Sequence, residues 1–241
     1  MKLPILILHG WGSSSKSFEE ISRFLREKGH QVFTPDLPGF GNERTPDKPW
    51  PIDDYVNFVF NFVQAQDVNK FILLGHSFGG RIGIKFAARY PEKLSGLILY
   101  AAAGIKPRRT VWHDFLFVLA KIGGFVFSLP LLSNISGVAR KALYFLSGSH
   151  DYYHTKGVMR ETMQNVISED LRDILPSIAV PTLILWGSKD TITPVRDAAV
   201  MKSAIHNAEY VVLEGKGHSA HKEDAQQFAE AVLSFIGKLG I

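Results

Sequence analysis

Cysteine is missing altogether. Disulfide bonds and thiol nucleophiles are thereby excluded, and the chain suits a reducing, cytoplasmic compartment. Long clean apolar runs are missing too. The most apolar window, Val111–Leu132, is broken by His113, Asp114, Lys121, Gly123, Gly124 and Pro130, which argues against stable membrane insertion. The N-terminal MKLPILILHGWG has a short apolar stretch that begins at once and runs into a glycine loop, so it does not read as a signal peptide. Charge of one sign is not concentrated. The net is +4, and Lys and Arg are dispersed apart from Lys106–Arg109, so no nucleic-acid surface is indicated. Phosphate-binding loop, metal-ligand cluster, internal repeat and low-complexity linker are all lacking, and no cofactor is expected.

What is present is a chain of 241 residues, 46% apolar and 21% charged. That is enough for one full core with an insertion. It is organised around Lys70–Arg89. An apolar run, Phe71–Leu74, reads as a buried strand, and an amphipathic helix follows to Tyr90. Between them stands Gly75-His76-Ser77-Phe78-Gly79, a G-x-S-x-G in the strand–turn–helix setting that gives the motif meaning. A serine on so sharp a turn is exposed at its tip. Glycines at 75 and 79 remove the Cβ atoms that would clash there. The Phe78 amide, opening the helix, faces the place where an oxyanion would form.

The rest alternates strand and helix. Pro4–Leu8 is a strand leading into His9-Gly10-Trp11-Gly12, a loop whose Trp11 amide can serve as a second oxyanion donor. His9 reads as structural. Gln31–Pro35 is a strand, and Asp36 in the following turn anchors its own loop. Asp53–Gln66 is a helix, and Leu94–Ala103 a strand. From Ile105 to Pro176 no strand is expected, only apolar helices such as Val111–Leu119, Gly137–Leu146 and Thr155–Ser168. Alternation resumes with strand Pro181–Trp186, helix Pro194–Ala204, strand Glu209–Leu213 and helix His221–Leu239. The predicted fold is α/β, a mostly parallel sheet with helices on both faces. Residues 1–104 and 177–241 form the core, and 105–176 a helical cap inserted over the strand carboxyl ends, where ligands of such sheets bind.

A serine nucleophile needs a base, and the base an orienting acid. Of nine histidines, His30 and His206 sit near helix ends, and His76 neighbours the serine with its side chain diverging. His113, His150 and His154 belong to the insertion, and His221 to the last helix. His218 remains, in a glycine-flanked loop after the final strand. The acid must follow a nearby strand, and Asp190, after Pro181–Trp186, does; its alternative reading is a turn or capping aspartate. Asp151 is the second choice. The chain order is Ser77, Asp190, His218.

Together, His9-Gly10-Trp11-Gly12, Gly75–Gly80, Trp186–Asp190 and Gly217-His218 resemble the α/β-hydrolase superfamily over nearly the whole chain. HGWG, DLPGFG and the position of the cap are similar to small carboxylesterases and to carbon–carbon bond hydrolases of aromatic-ring degradation. Members usually carry an N-terminal antiparallel hairpin. Here the chain starts directly at the H-G strand, so six parallel strands are expected and the hairpin is absent. The resemblance implies a carboxylesterase-type serine hydrolase of small to medium apolar acyl esters, working through an acyl-enzyme on Ser77, without cofactor or metal. Aspartate-dependent dehalogenases and epoxide hydrolases are disfavoured by the serine. Carbon–carbon bond hydrolysis, thioester hydrolysis and lactone opening are the alternatives, and a ligand-binding receptor with a residual site is the reading from another class.

Overall fold

Four mostly apolar strands make the centre of the sheet: β1 (Ile5–Leu8), β3 (Phe71–His76), β4 (Leu94–Tyr100) and β5 (Thr182–Gly187). Every residue in them is buried, as a parallel strand covered on both faces requires. The edges are β2 (Val32–Phe33) and the half-buried β6 (Ala208–Leu213). All six pair in parallel, in the order β2-β1-β3-β4-β5-β6. The parallel sheet expected from the sequence is therefore present, and β1 lies inside it.

The structure, a computed structural model, describes residues 2–106 and 156–240. Its internal contacts separate Met1–Ile105 with Gly157–Ile241 from Lys106–Lys156. The predicted helices Val111–Leu119 and Gly137–Leu146, and Asp151, lie outside the described residues.

Among the described residues the α-helices are α1 (Glu19–Glu27), α2 (Ile52–Ala65), α3 (Phe78–Arg89), α4 (Val158–Ser168), α5 (Val195–Ala204), α6 (Ala220–Glu223) and α7 (Ala225–Lys238). On α1 only Ile21, Ser22 and Leu25 are buried, at the spacing of one helical face. On α3 nine of the twelve residues are buried, so it lies in the interior. Among them is Arg81, whose guanidinium donates to the carbonyls of Val166 and Glu169 at 2.7 and 2.6 Å. This satisfies carbonyls at the end of α4 that have no partner within their own helix. Burial pushes the Arg81 pKa down to about 10, against the charges of Glu169 and Asp170.

Of the boundaries that differ from expectation, three have a plain local cause. β4 stops at Tyr100, not Ala103, because Ala101 takes φ 44° and the Ala103 amide turns to the carbonyl of Ser77. β2 is only two residues long, since Pro35 has no N–H to extend it. The C-terminal helix is broken at Asp224, whose backbone is extended and whose side-chain Oδ1 caps α7 by accepting the Gln227 amide at 3.0 Å.

Candidate active site

Strand order reverses at one place. From β1 the chain goes out to the edge at β2, then crosses to β3 on the other side. The loops leaving β1 and β3 flank this reversal, the place where open parallel sheets bind their ligands. Both candidate oxyanion donors and Ser77 sit on those two loops.

Ser77 is the single residue between β3 and α3, at φ 51° and ψ −108°. A non-glycine residue there costs on the order of 1–3 kcal/mol unless its surroundings hold it. They do. Its N–H donates to Tyr100 O at 3.0 Å, and its carbonyl accepts from the amides of Ala103 (3.0 Å) and Arg81 (3.2 Å). A Cβ on Gly75 would overlap the Gly79 carbonyl, and one on Gly79 would overlap that of Leu8. These two positions explain the motif's glycines: α3 begins in contact with the strands. Phe78 is the first residue of α3, so its amide has no acceptor within the helix.

The H-G loop lies against this turn. A Cβ on Gly10 would be 3.2 Å from His76 Nδ1 and 3.4 Å from Ser77 Cβ. His9 is buried and pins the loop. Its Nε2 accepts the Leu37 amide at 2.9 Å, so its proton is on Nδ1, which donates to Gly10 O at 2.8 Å. Burial lowers the His9 pKa and keeps this neutral form. Asp36 accepts the amides of Ser15 (2.7 Å) and Asn42 (2.8 Å), the loop anchor read from the sequence. Trp11 packs edge-on against Phe40 and Phe78, at ring separations of 4.9 and 5.1 Å. The residues carrying the two candidate amides thus share one aromatic cluster.

Asp190 and His218 come from the loops after β5 and β6. A Cβ on Gly187 would overlap the carbonyls of Lys216 and Gly217, so glycine is needed where the two loops meet. The Asp190 side chain is fully buried, and its Oδ2 accepts from His218 Nδ1 at 2.8 Å. Its Oδ1 accepts the amides of Ile192 (2.8 Å) and Thr193 (3.0 Å), and Thr193 Oγ1 donates to Oδ2 at 2.8 Å. Burial pushes the Asp190 carboxyl up, but the bonds from His218 and Thr193 outweigh it and hold the pKa below the ordinary value. An ionised carboxylate accepts only, so His218 carries a proton on Nδ1, and in the neutral ring Nε2 is then the nitrogen with the lone pair.

Thr193, 3.2 Å from His218 Nδ1 and 3.1 Å from Ala101 O, escaped sequence reasoning. Its signal was the Asp-x-x-Thr spacing, at which an aspartate accepts from amides two and three residues on. His76 and His221 were set aside as candidate bases. The structure puts both rings beside His218 or its neighbours, at 4.8 Å from His76 to His218 and 5.1 Å from His76 to His221. Burial and the charges of His218 and His221 lower the His76 pKa well below that of free imidazole. Burial, with Lys222 and His218, lowers that of His221 to about 3.

Among the described residues no helix is long and apolar enough to cross a membrane, and no group of three or more His, Asp or Glu side chains could hold a metal ion.

Known proteins resemble this chain over most of its length. A model of the alpha/beta hydrolase family matches residues 5–231. Human monoacylglycerol lipase ABHD6 is 28% identical over 260 residues, covering 99% of this chain and 76% of its own. Among solved structures, an esterase from Exiguobacterium antarcticum superposes with a TM-score of 0.75 at 24% identity, over 98% of this chain and 92% of that one. A membrane phospholipase A described as a bacterial virulence factor gives 0.74 at 25% identity, over 99% and 79%.

Proposed function

Since this chain belongs to the alpha/beta hydrolase family, we propose that it is a serine hydrolase cleaving carboxylic esters of small to medium apolar acyl groups. The observation that carries the reading is the Asp190 carboxylate, buried and fixed by four donors, one of them His218 Nδ1 at 2.8 Å. That bond leaves His218 Nε2 as a base. In the reaction, Ser77 Oγ attacks the ester carbonyl carbon as His218 Nε2 takes its proton. The carbonyl oxygen becomes an oxyanion received by the amides of Trp11 and Phe78, where one such donor is commonly worth about 3 kcal/mol. The tetrahedral intermediate expels the alcohol, which leaves with the proton from His218. Water, deprotonated by His218, then attacks the acyl carbon and releases acid and Ser77.

An ester is favoured because relatives and neighbours bear the names monoacylglycerol lipase, phospholipase and esterase. An apolar acyl group is favoured by the rings of Trp11, Phe40 and Phe78 around the candidate oxyanion site. The test is hydrolysis of p-nitrophenyl esters of graded acyl length by the protein and by Ser77→Ala. Turnover with a chain-length optimum, abolished in Ser77→Ala, is expected. Folded protein without turnover on any ester would discard the esterase reading.

A further inference from the structure

Tyr100 reaches both halves of the candidate Ser–His pair. It ends β4, directly opposite His76 in the register of β3 and β4. Its main-chain carbonyl accepts the Ser77 amide at 3.0 Å. Its hydroxyl lies 3.0 Å from the carbonyl of His218, 3.1 Å from His221 Nδ1 and 3.2 Å from the His221 amide. Neither hydrolysis nor the family likeness assigns this residue a part.

The direction of each bond follows from donor counting. The His221 amide can only donate, so it donates to the Tyr100 oxygen. The hydroxyl hydrogen has two possible acceptors, His218 O and His221 Nδ1. If it went to His221 Nδ1, the His221 ring proton would sit on Nε2, which is buried and finds no partner among the described residues. A buried N–H without an acceptor is rarer and costlier than a spare lone pair. The ring proton is therefore on Nδ1 and donates to Tyr100, and the hydroxyl donates to His218 O. A second donor meets the same carbonyl, His76 Nε2–H at 3.0 Å. The His76 ring stacks on Tyr100 at 4.5 Å, and His221 stacks on Phe18 at 4.3 Å. Packing thus holds all three donors of the cluster in one arrangement.

We propose that Tyr100, with His76, is a positioning residue that ties the backbone of Ser77 to that of His218 and so sets the distance between nucleophile and base. Asp190 orients the His218 ring from one side, while Tyr100 and His76 hold its main chain from the other. A shift of about 1 Å between reacting groups can cost on the order of a hundredfold in rate. This rests on the serine-hydrolase reading above.

The test compares Tyr100→Phe, Ser77→Ala, His76→Phe and His76→Gln in p-nitrophenyl ester hydrolysis. Competent sites are counted by the p-nitrophenol burst from a p-nitrophenyl alkylphosphonate. Y100F keeps the ring, its stacking and the main-chain bond to Ser77, and loses only the hydroxyl. Its kcat per titrated site is expected to fall roughly ten- to a hundredfold, with KM changed by less than about twofold. A purely structural role would lower the number of titrated sites or the melting temperature and leave kcat per site unchanged. Wild-type kcat per site in Y100F, with S77A inactive, overturns the proposal. Gln presents an amide N–H near the place of His76 Nε2–H, so H76Q is expected to retain more of kcat than H76F. Should Y100F not fold, equal kcat in these two variants overturns it instead. Undiminished turnover in S77A would sink the serine-hydrolase reading itself, a separate outcome.

Discussion

Replacing Asp190 with asparagine changes one atom at a site where every neighbour donates. Oδ1 faces two main-chain amides that cannot rotate, so the asparagine oxygen must take that place. Its NH2 then faces His218 Nδ1 and Thr193 Oγ1. Thr193 adapts by turning its hydrogen to Ala101 O, already 3.1 Å away. His218 adapts by accepting at Nδ1, which moves its only ring proton to Nε2 and removes the base. Folding is nearly preserved, at a cost of about 1–2 kcal/mol, while kcat is expected to fall by about four orders of magnitude, roughly 5 kcal/mol in activation free energy. Ester hydrolysis with urea unfolding alongside checks both. The pH dependence adds a sign. The Asp190 pKa is lowered on folding, so its contribution to stability is complete above the unfolded carboxyl value of ~4 and lost as pH falls through the folded value. The stability gap between wild type and Asp190→Asn must therefore shrink in acid. A folded D190N with more than one-tenth of wild-type kcat would refute this account.

Thr193→Val removes the hydroxyl donor to Asp190 at nearly constant shape; kcat is expected to drop about tenfold in ester hydrolysis, with Thr193→Ser retaining most of it. Gly75→Ala places a methyl on the Gly79 carbonyl and should cost about 1–3 kcal/mol or more in urea unfolding. Gly237→Ala, in α7 with open space around it, should stabilise by about 0.5–1 kcal/mol in the same assay. Arg81→Ala strands the carbonyls of Val166 and Glu169; a loss of about 2–4 kcal/mol is expected by thermal or urea unfolding, and a loss below 0.5 kcal/mol, roughly, would mean that α4 finds other partners.

The central strands were legible because each carries a run of at least four apolar residues, and the turn at Ser77 because its glycines are dictated by backbone contact. The Asp190 loop was legible twice over. The turn aspartate and the candidate acid, set against each other in the sequence, can be one carboxylate: Oδ1 accepts the turn amides while Oδ2 accepts from His218 Nδ1. What could not be read was lateral. His76, Tyr100 and His221 meet only through the β3–β4 register and the return of the chain after β6, and nothing in their local sequence announces it. Ala101 was hidden in an apolar stretch that looked like more strand, since no pattern of small residues declares a positive φ.

The parallel sheet has a consequence for the chain as it is made. His76 and His218 stand 142 residues apart. At roughly 5–20 residues per second of synthesis, the ribosome needs on the order of ten seconds or more between them. Throughout that interval the nascent chain holds the Ser77 segment without the residue proposed to draw off its proton. On the proposed mechanism the site stays incomplete until β6 and the loop that carries His218 have emerged.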